Sequence, residues 1–128
     1  MADIIHSDKA PAAVGPYSQA VASGKLLFLS GQIALSPASG KIESDTVSAQ
    51  AEQVCRNIGE VLAAAGTDFS AVVKTTCFLT DMAAFAEFNA VYAKFFTGRP
   101  ARSCVAVSAL PAGALCEIEA VAVLGEHR

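Results

Sequence analysis

No histidine lies between His6 and His127, and none of the four cysteines, at 55, 77, 104 and 116, belongs to a C-x-x-C pair. Zinc-ligand spacing therefore cannot be drawn, and no serine or cysteine has an internal histidine to act as its base. A Gly-rich phosphate loop of the P-loop or dinucleotide type is missing too. Basic charge is in short supply. Nine Lys and Arg against twelve Asp and Glu leave a net charge of −3, which argues against nucleic acid as the main ligand. No charge-free window is longer than Leu26 to Gly40, and that one contains Ser, Gln, Gly and Pro. It falls short of the ~20 apolar residues that span a bilayer. Asp3 and His6 interrupt the N-terminus where a secretory signal would need a basic start and an unbroken apolar stretch. The cysteines are accordingly expected to be reduced cytosolic thiols, mostly small core residues. Internal repeats, linkers and low-complexity tails are also absent, and "SPASGK", 36 to 41, reads as an ordinary connecting loop.

What the chain does have is apolar side chains. Residues from AVILMFWYC make up 53% of its 128 residues, above the roughly 45–50% of ordinary soluble domains. One domain spanning 1–128 with a single core is expected, and a chain this small cannot hide such a surplus alone. An extensive subunit interface, and so a homo-oligomer, follows as the expectation.

Residues 46 to 65 place Val47, Ala51, Val54, Ile58, Leu62 and Ala65 on one face at helical spacing, with Gly66 as the stop. A second helix is expected after Asp81, a good N-cap. Its Phe85, Phe88, Tyr92 and Phe95 recur at helical spacing, and Gly98 and Pro100 end it. Strands are predicted at Ile4 to His6, Tyr17 to Ala22, Leu26 to Ser30, Val72 to Thr80, Ser103 to Ala109 and Leu115 to Leu124. "SGK" at 23 to 25 and "LPAG" at 110 to 113 read as hairpin turns. This order predicts an α+β fold with two helices on one face of a sheet, its other face open unless a partner covers it.

Several residues have the chemistry of a site. Alternation along the "RPARSCV" strand puts Arg102 and Cys104 on one face and Val105 and Val107 on the other, and the valines are expected to point inward. Arg102 then either makes a surface ion pair or grips a planar carboxylate or phosphate with two parallel hydrogen bonds. In "CEIEAVAV", Glu117 and Glu119 share a face with Val121 and Val123. They mark either a solvent-exposed strand edge or carboxyls whose pKa rises toward the range useful for proton transfer. Tyr17, Ser30 and Gly31 either serve as turn residues or line a small pocket, and Asn89 on the second helix either caps a neighbouring loop or meets a ligand.

Taken in order, "APAAVGPYSQA", "LSGQI", "RNIGEVLAAAG", "VVKTTCFLTDM", "FNAVYAKFF", "PARSCV" and "EIEAVAV" resemble the RidA (YjgF) family of enamine/imine deaminases, over Ala10 to Val123. The resemblance implies a chorismate-mutase-like sheet with two helices packed on one face, a homotrimer, and ligand clefts between subunits. It implies a hydrolase, a 2-iminobutanoate/2-iminopropanoate deaminase that converts species such as 2-aminoacrylate to 2-keto acids and ammonia in the cytoplasm. No cofactor, metal, membrane or nucleic acid is expected, and the partners would be a small 2-imino or 2-keto acid and further copies of the chain. Residue by residue it assigns Arg102 to the substrate carboxylate and Glu117 to the water. Tyr17, Ser30, Gly31, Asn89 and Cys104 would complete the binding pocket. Arg102 and Glu117 should then converge on one crevice. A ketoacid-sensing or partner-binding trimer using the same cleft is the alternative, and translation-inhibiting or nuclease activity is a more distant one that the acidic balance does not support. One departure from the pattern stands out: only Thr97, Gly98 and Arg99 separate Phe96 from Pro100, where relatives often have a longer loop.

Overall fold

Thr46 opens the first helix as its N-cap, the side chain accepting a hydrogen bond from the Ala49 amide, and α1 runs Val47–Ala64. Its end is a Schellman turn. Gly66, at φ 80°, donates to the Ala63 carbonyl while Thr67 reaches back to Leu62. The stop at Gly66 thus follows the sequence signal. The buried stripe, Ala51, Val54, Cys55, Ile58, Val61 and Leu62, is fully excluded from solvent.

That stripe lies on a sheet. A computed structural model gives the fold of residues 2–125, so His127 lies outside the described residues. Among these, the strands are β1 Ala2–Ile5, β2 Ala20–Ser23, β3 Leu26–Gln32, β4 Val72–Leu79, β5 Ala101–Ala106 and β6 Cys116–Val123. They form one mixed sheet in the order β1-β2-β3-β6-β4-β5. The second helix, α2, covers Phe85–Phe95 after a 3-10 turn at Met82–Ala84 that Asp81 caps. Ala20, Ala22, Ala120 and Ala122 are buried beside Leu27, Leu29 and Ile118. Small side chains there let the helical layer sit close to the sheet.

Three sequence expectations are corrected. Tyr17 to Gln19 precede the strand, which begins at Ala20. "LPAG" is no hairpin turn. β6 pairs with β3 and β4, not with β5, so Pro111–Gly113 forms a 3-10 turn that carries the chain across the sheet. β5 instead lies parallel to β4, Cys104 opposite Cys77, and ends at Ala106. The third correction concerns the faces. Val105 is 43% exposed, while Arg102 and Cys104 point toward the helices and are half-buried. An aromatic wall on α2 receives the guanidinium there, and the sheet's far face, apolar and open, takes the valine. That far face also shows Leu26, Phe28 and Val123, each exposed to 40–45%. Among the described residues no helix is long and apolar enough to cross a membrane.

Candidate active site

Arg102 is placed by helix periodicity. Phe85, Asn89 and Tyr92 fall at i, i+4 and i+7 of α2, which puts them on one side, facing β5. The guanidinium carbon lies 4.6 Å from the Tyr92 ring centre and 5.4 Å from that of Phe85. Its Nη1 donates to the Asn89 Oδ1 at 2.7 Å. Tyr92 is itself fixed: its hydroxyl and that of the buried Thr75 are 2.7 Å apart, and its ring stacks on Phe96 at 4.4 Å. Cation–π contact and one hydrogen bond thus orient Arg102 without neutralising it. No carboxylate pairs with it among the described residues. Arg102 lines a cleft of about 690 Å³ together with Asn89, Tyr92, Phe96, Arg99 and Pro100. Cys104 lies next along the same face of β5, its thiol pKa pushed up by burial and drawn back by Arg102. As the outermost strand, β5 leaves backbone groups on its free edge unpaired.

Glu117 occupies a different cleft, of about 450 Å³, with Tyr17, Ser30, Gly31, Pro11 and Glu119 on its walls. In register it stands opposite Phe78 of β4, and Glu119 opposite Thr76. Arg102 stands opposite Thr75. Neighbours alternate in face, so the two groups project from opposite faces of the sheet. The expectation that they converge on one crevice does not hold within a single copy of the chain.

Gly31 explains how a carboxylate fits against the backbone here. A Cβ at this position would overlap the Glu117 Oε2 and fall 2.9 Å from its Cδ. Desolvation, and secondarily the Glu119 charge, raise the Glu117 pKa above its ordinary 4.5. Ser30, on the cleft wall, donates its hydroxyl to the Ser18 carbonyl at 2.6 Å, so its oxygen remains free to accept. Tyr17 is 53% exposed at the rim. The structure therefore groups Tyr17, Ser30, Gly31 and Glu117 in one cleft, and Asn89 and Arg102 in the other with Cys104 beside them.

Sequence reasoning overlooked three buried amides that build these walls. Gln19 accepts from the Ser7 amide at 2.6 Å and donates to the Pro11 carbonyl at 2.8 Å, fastening the Pro11 to Ala13 wall of the Glu117 cleft. Asn57 donates to the Ile33 and Leu35 carbonyls. Gln50 accepts from the Leu115 amide at 2.8 Å, two residues before Glu117. Gln50 and Asn57 sit seven residues apart on the apolar side of α1, a polar repeat within a buried stripe that could have marked them. Among the described residues no group of three or more His, Cys, Asp or Glu could hold a metal ion.

Fold and clefts together define a small α+β protein with a partly desolvated glutamate in one cleft and, in another, an arginine that has no carboxylate partner among the described residues. The chain belongs to the RidA (YjgF) family: the family model described as endoribonuclease L-PSP matches residues 7–124. It is 57% identical over 122 residues to Protein DfrA of Myxococcus xanthus, covering 93% of each chain. It is 49% identical over 123 residues to the 2-iminobutanoate/2-iminopropanoate deaminase of Mus musculus, covering 95% of this chain and 91% of that one. Among solved structures, E. coli TdcF with bound serine superposes with a TM-score of 0.91 at 42% identity, over 96% of this chain and 99% of that one. The relatives' names support a RidA-type deaminase function.

Proposed function

We propose that this protein is a cofactor-independent 2-iminobutanoate/2-iminopropanoate deaminase that hydrolyses reactive enamines and imines such as 2-aminoacrylate to 2-keto acids and ammonia. One observation carries this reading. Arg102 is half-buried, oriented by Asn89 and Tyr92, and without a carboxylate partner among the described residues. A guanidinium held in that way is a ready fork for a substrate carboxylate, each charge-assisted hydrogen bond contributing about 1.5–3 kcal/mol. The name of the mouse relative supports the same chemistry.

The enamine first isomerises to the imine, whose carbon is electrophilic. Glu117 then orients a water and takes a proton from it as its oxygen attacks that carbon. The C–N bond breaks as the nitrogen receives the proton back. The water oxygen remains as the keto oxygen, and both of its hydrogens leave with the nitrogen as ammonia, so the reaction balances with water alone. Tyr17, Ser30 and the Gly31 backbone line the water side, and Cys104 flanks the carboxylate side.

Because Arg102 and Glu117 project from opposite faces of one sheet, we take the working site to form between copies of the chain in a homotrimer. The Arg102 cleft of one copy would face the Glu117 cleft of the next. Such a heterologous contact closes into a ring of three when it turns each copy by a third of a circle, and the exposed Leu26, Phe28, Val105 and Val123 give the open sheet face an apolar surface to bury in it. In this reading the whole of 1–128 works as one domain. Its four free cysteines suit a reducing compartment such as the cytoplasm.

A second reading, a ketoacid-binding trimer without turnover, draws on the relative crystallised with an intact amino acid, serine. The name endoribonuclease attached to the family model finds less support, since Glu117 and Glu119 line one cleft and the net charge is −3. Ketoacid release from freshly generated 2-aminoacrylate tests the proposal. The wild type should accelerate it, and Arg102→Ala should lower kcat/KM by about a hundredfold or more. Binding of 2-ketobutyrate with no change in enamine lifetime would favour the second reading instead.

A further inference from the structure

The cleft around Arg102 contains a second arginine. Only Thr97, Gly98 and Arg99 connect the end of α2 to Pro100, and Arg99 sits at φ 55°, in the left-handed region. A long side chain is uncommon there, and a following proline narrows its choices further. Gly98, which could adopt such a conformation at little cost, is the neighbour that does not. The Arg99 amide donates to the Phe96 carbonyl at 3.3 Å, closing the turn. In this conformation Arg99 lines the same cleft as Arg102, over a floor of Tyr92 and Phe96. Like Arg102, it pairs with no carboxylate among the described residues.

Two unneutralised guanidinium groups, three residues and at most about 10 Å of chain apart, border one cavity. One carboxylate on Arg102 leaves the other cation, and much of the volume, unused. We infer that Arg99 is a specificity-determining residue that binds a second carboxylate on the substrate side chain, so that the preferred substrates and products are 2-imino and 2-keto dicarboxylates. This inference rests on the deaminase reading for turnover. Its binding preference rests on the two guanidinium groups and needs no turnover. The short connection supplies the physical reason: with three residues between Phe96 and Pro100, the turn places Arg99 at the exposed rim of this cleft.

The test compares wild type with Arg99→Gly, a variant that relieves the left-handed backbone. Its melting temperature should be unchanged or higher. Calorimetry with 2-oxoglutarate and 2-oxobutyrate should give a wild-type preference for the dicarboxylate of at least about fivefold, declining as salt rises. In Arg99→Gly that ratio should fall to near one. In parallel, an amino acid oxidase generates 2-iminoglutarate or 2-iminobutanoate in situ, and the ratio of their kcat/KM values should shift in the same direction. A wild type without preference, or a preference that survives in Arg99→Gly, overturns the inference. If 2-iminobutanoate is hydrolysed and no preference appears, the deaminase reading stands and the role of Arg99 falls. If neither imine is hydrolysed but the Arg99-dependent binding preference is found, the deaminase reading falls and the two-cation cleft stands.

Discussion

Glu117 depends on a residue with no side chain. Since a Cβ at position 31 would overlap its carboxylate, Gly31→Ala should push Glu117 off its position while leaving the core intact. A displacement of about 1 Å can cost about a hundredfold in rate, so kcat should drop by ten- to a hundredfold with little change in Tm. Titration gives a second check at this scale. Burial first, and Glu119 second, raise the Glu117 pKa, and in the proposed mechanism the residue must be ionised to take a proton from water. Activity should therefore fall on the acid side at a pH above the ordinary 4.5, and Glu119→Gln should move that limb toward lower pH. Stability runs the other way. A raised carboxyl pKa means the folded chain holds the proton more tightly than the unfolded one. Its contribution is full below 4.5 and is lost as pH climbs through the raised value. Urea melts of Glu117→Gln should lack that loss, and the variant should be at least as stable as wild type at neutral pH.

At the scale of elements, α2 and β4 share the task of holding Arg102. Tyr92 stacks under its guanidinium and is tied by its hydroxyl to buried Thr75. Tyr92→Phe keeps the ring but leaves the Thr75 hydroxyl unpaired, at a cost of about 1–3 kcal/mol. Denaturation should register that loss, with KM for a 2-keto or 2-imino acid changing by less than about threefold. Such pairings mark how far the sequence could be read. α1 was legible over 46 to 66 because an apolar stripe and a glycine stop are local signals, while the Thr46 cap is a feature of the structure. The strands were legible as apolar runs, but their pairing was not. β6 inserts between β3 and β4, a choice made by burial across the whole sheet that no turn residue records. The face of β5 was misread for a related reason: alternation says which residues share a side, whereas the ring of Tyr92, ten residues away in sequence, decides which side is inside. The site residues themselves were legible mainly through the family resemblance. Gln19, Gln50 and Asn57 passed unnoticed because buried amides binding loop carbonyls look, in sequence, like surface polar residues.

For the whole molecule, the decisive feature is that one sheet separates the two chemistries. Arg102 and Cys104 face the helices at one edge, while Glu117, Glu119, Phe28 and Val123 share the open face. On the proposed function a single copy would hold two half-sites, with an apolar surface to bury beside one of them. Assembly would then be part of catalysis, and on that reading dilution below the assembly threshold should abolish turnover with the fold retained. The most direct test uses two variants that are each inactive, Arg102→Ala and Glu117→Gln, co-expressed or refolded together in equal amounts. If each site joins the arginine of one copy to the glutamate of the next, random mixing restores both wild-type halves at about a quarter of the interfaces of a cyclic oligomer. The account predicts recovery of about a quarter of wild-type deaminase activity. A mixed oligomer that forms yet stays as inactive as its parents would contradict it.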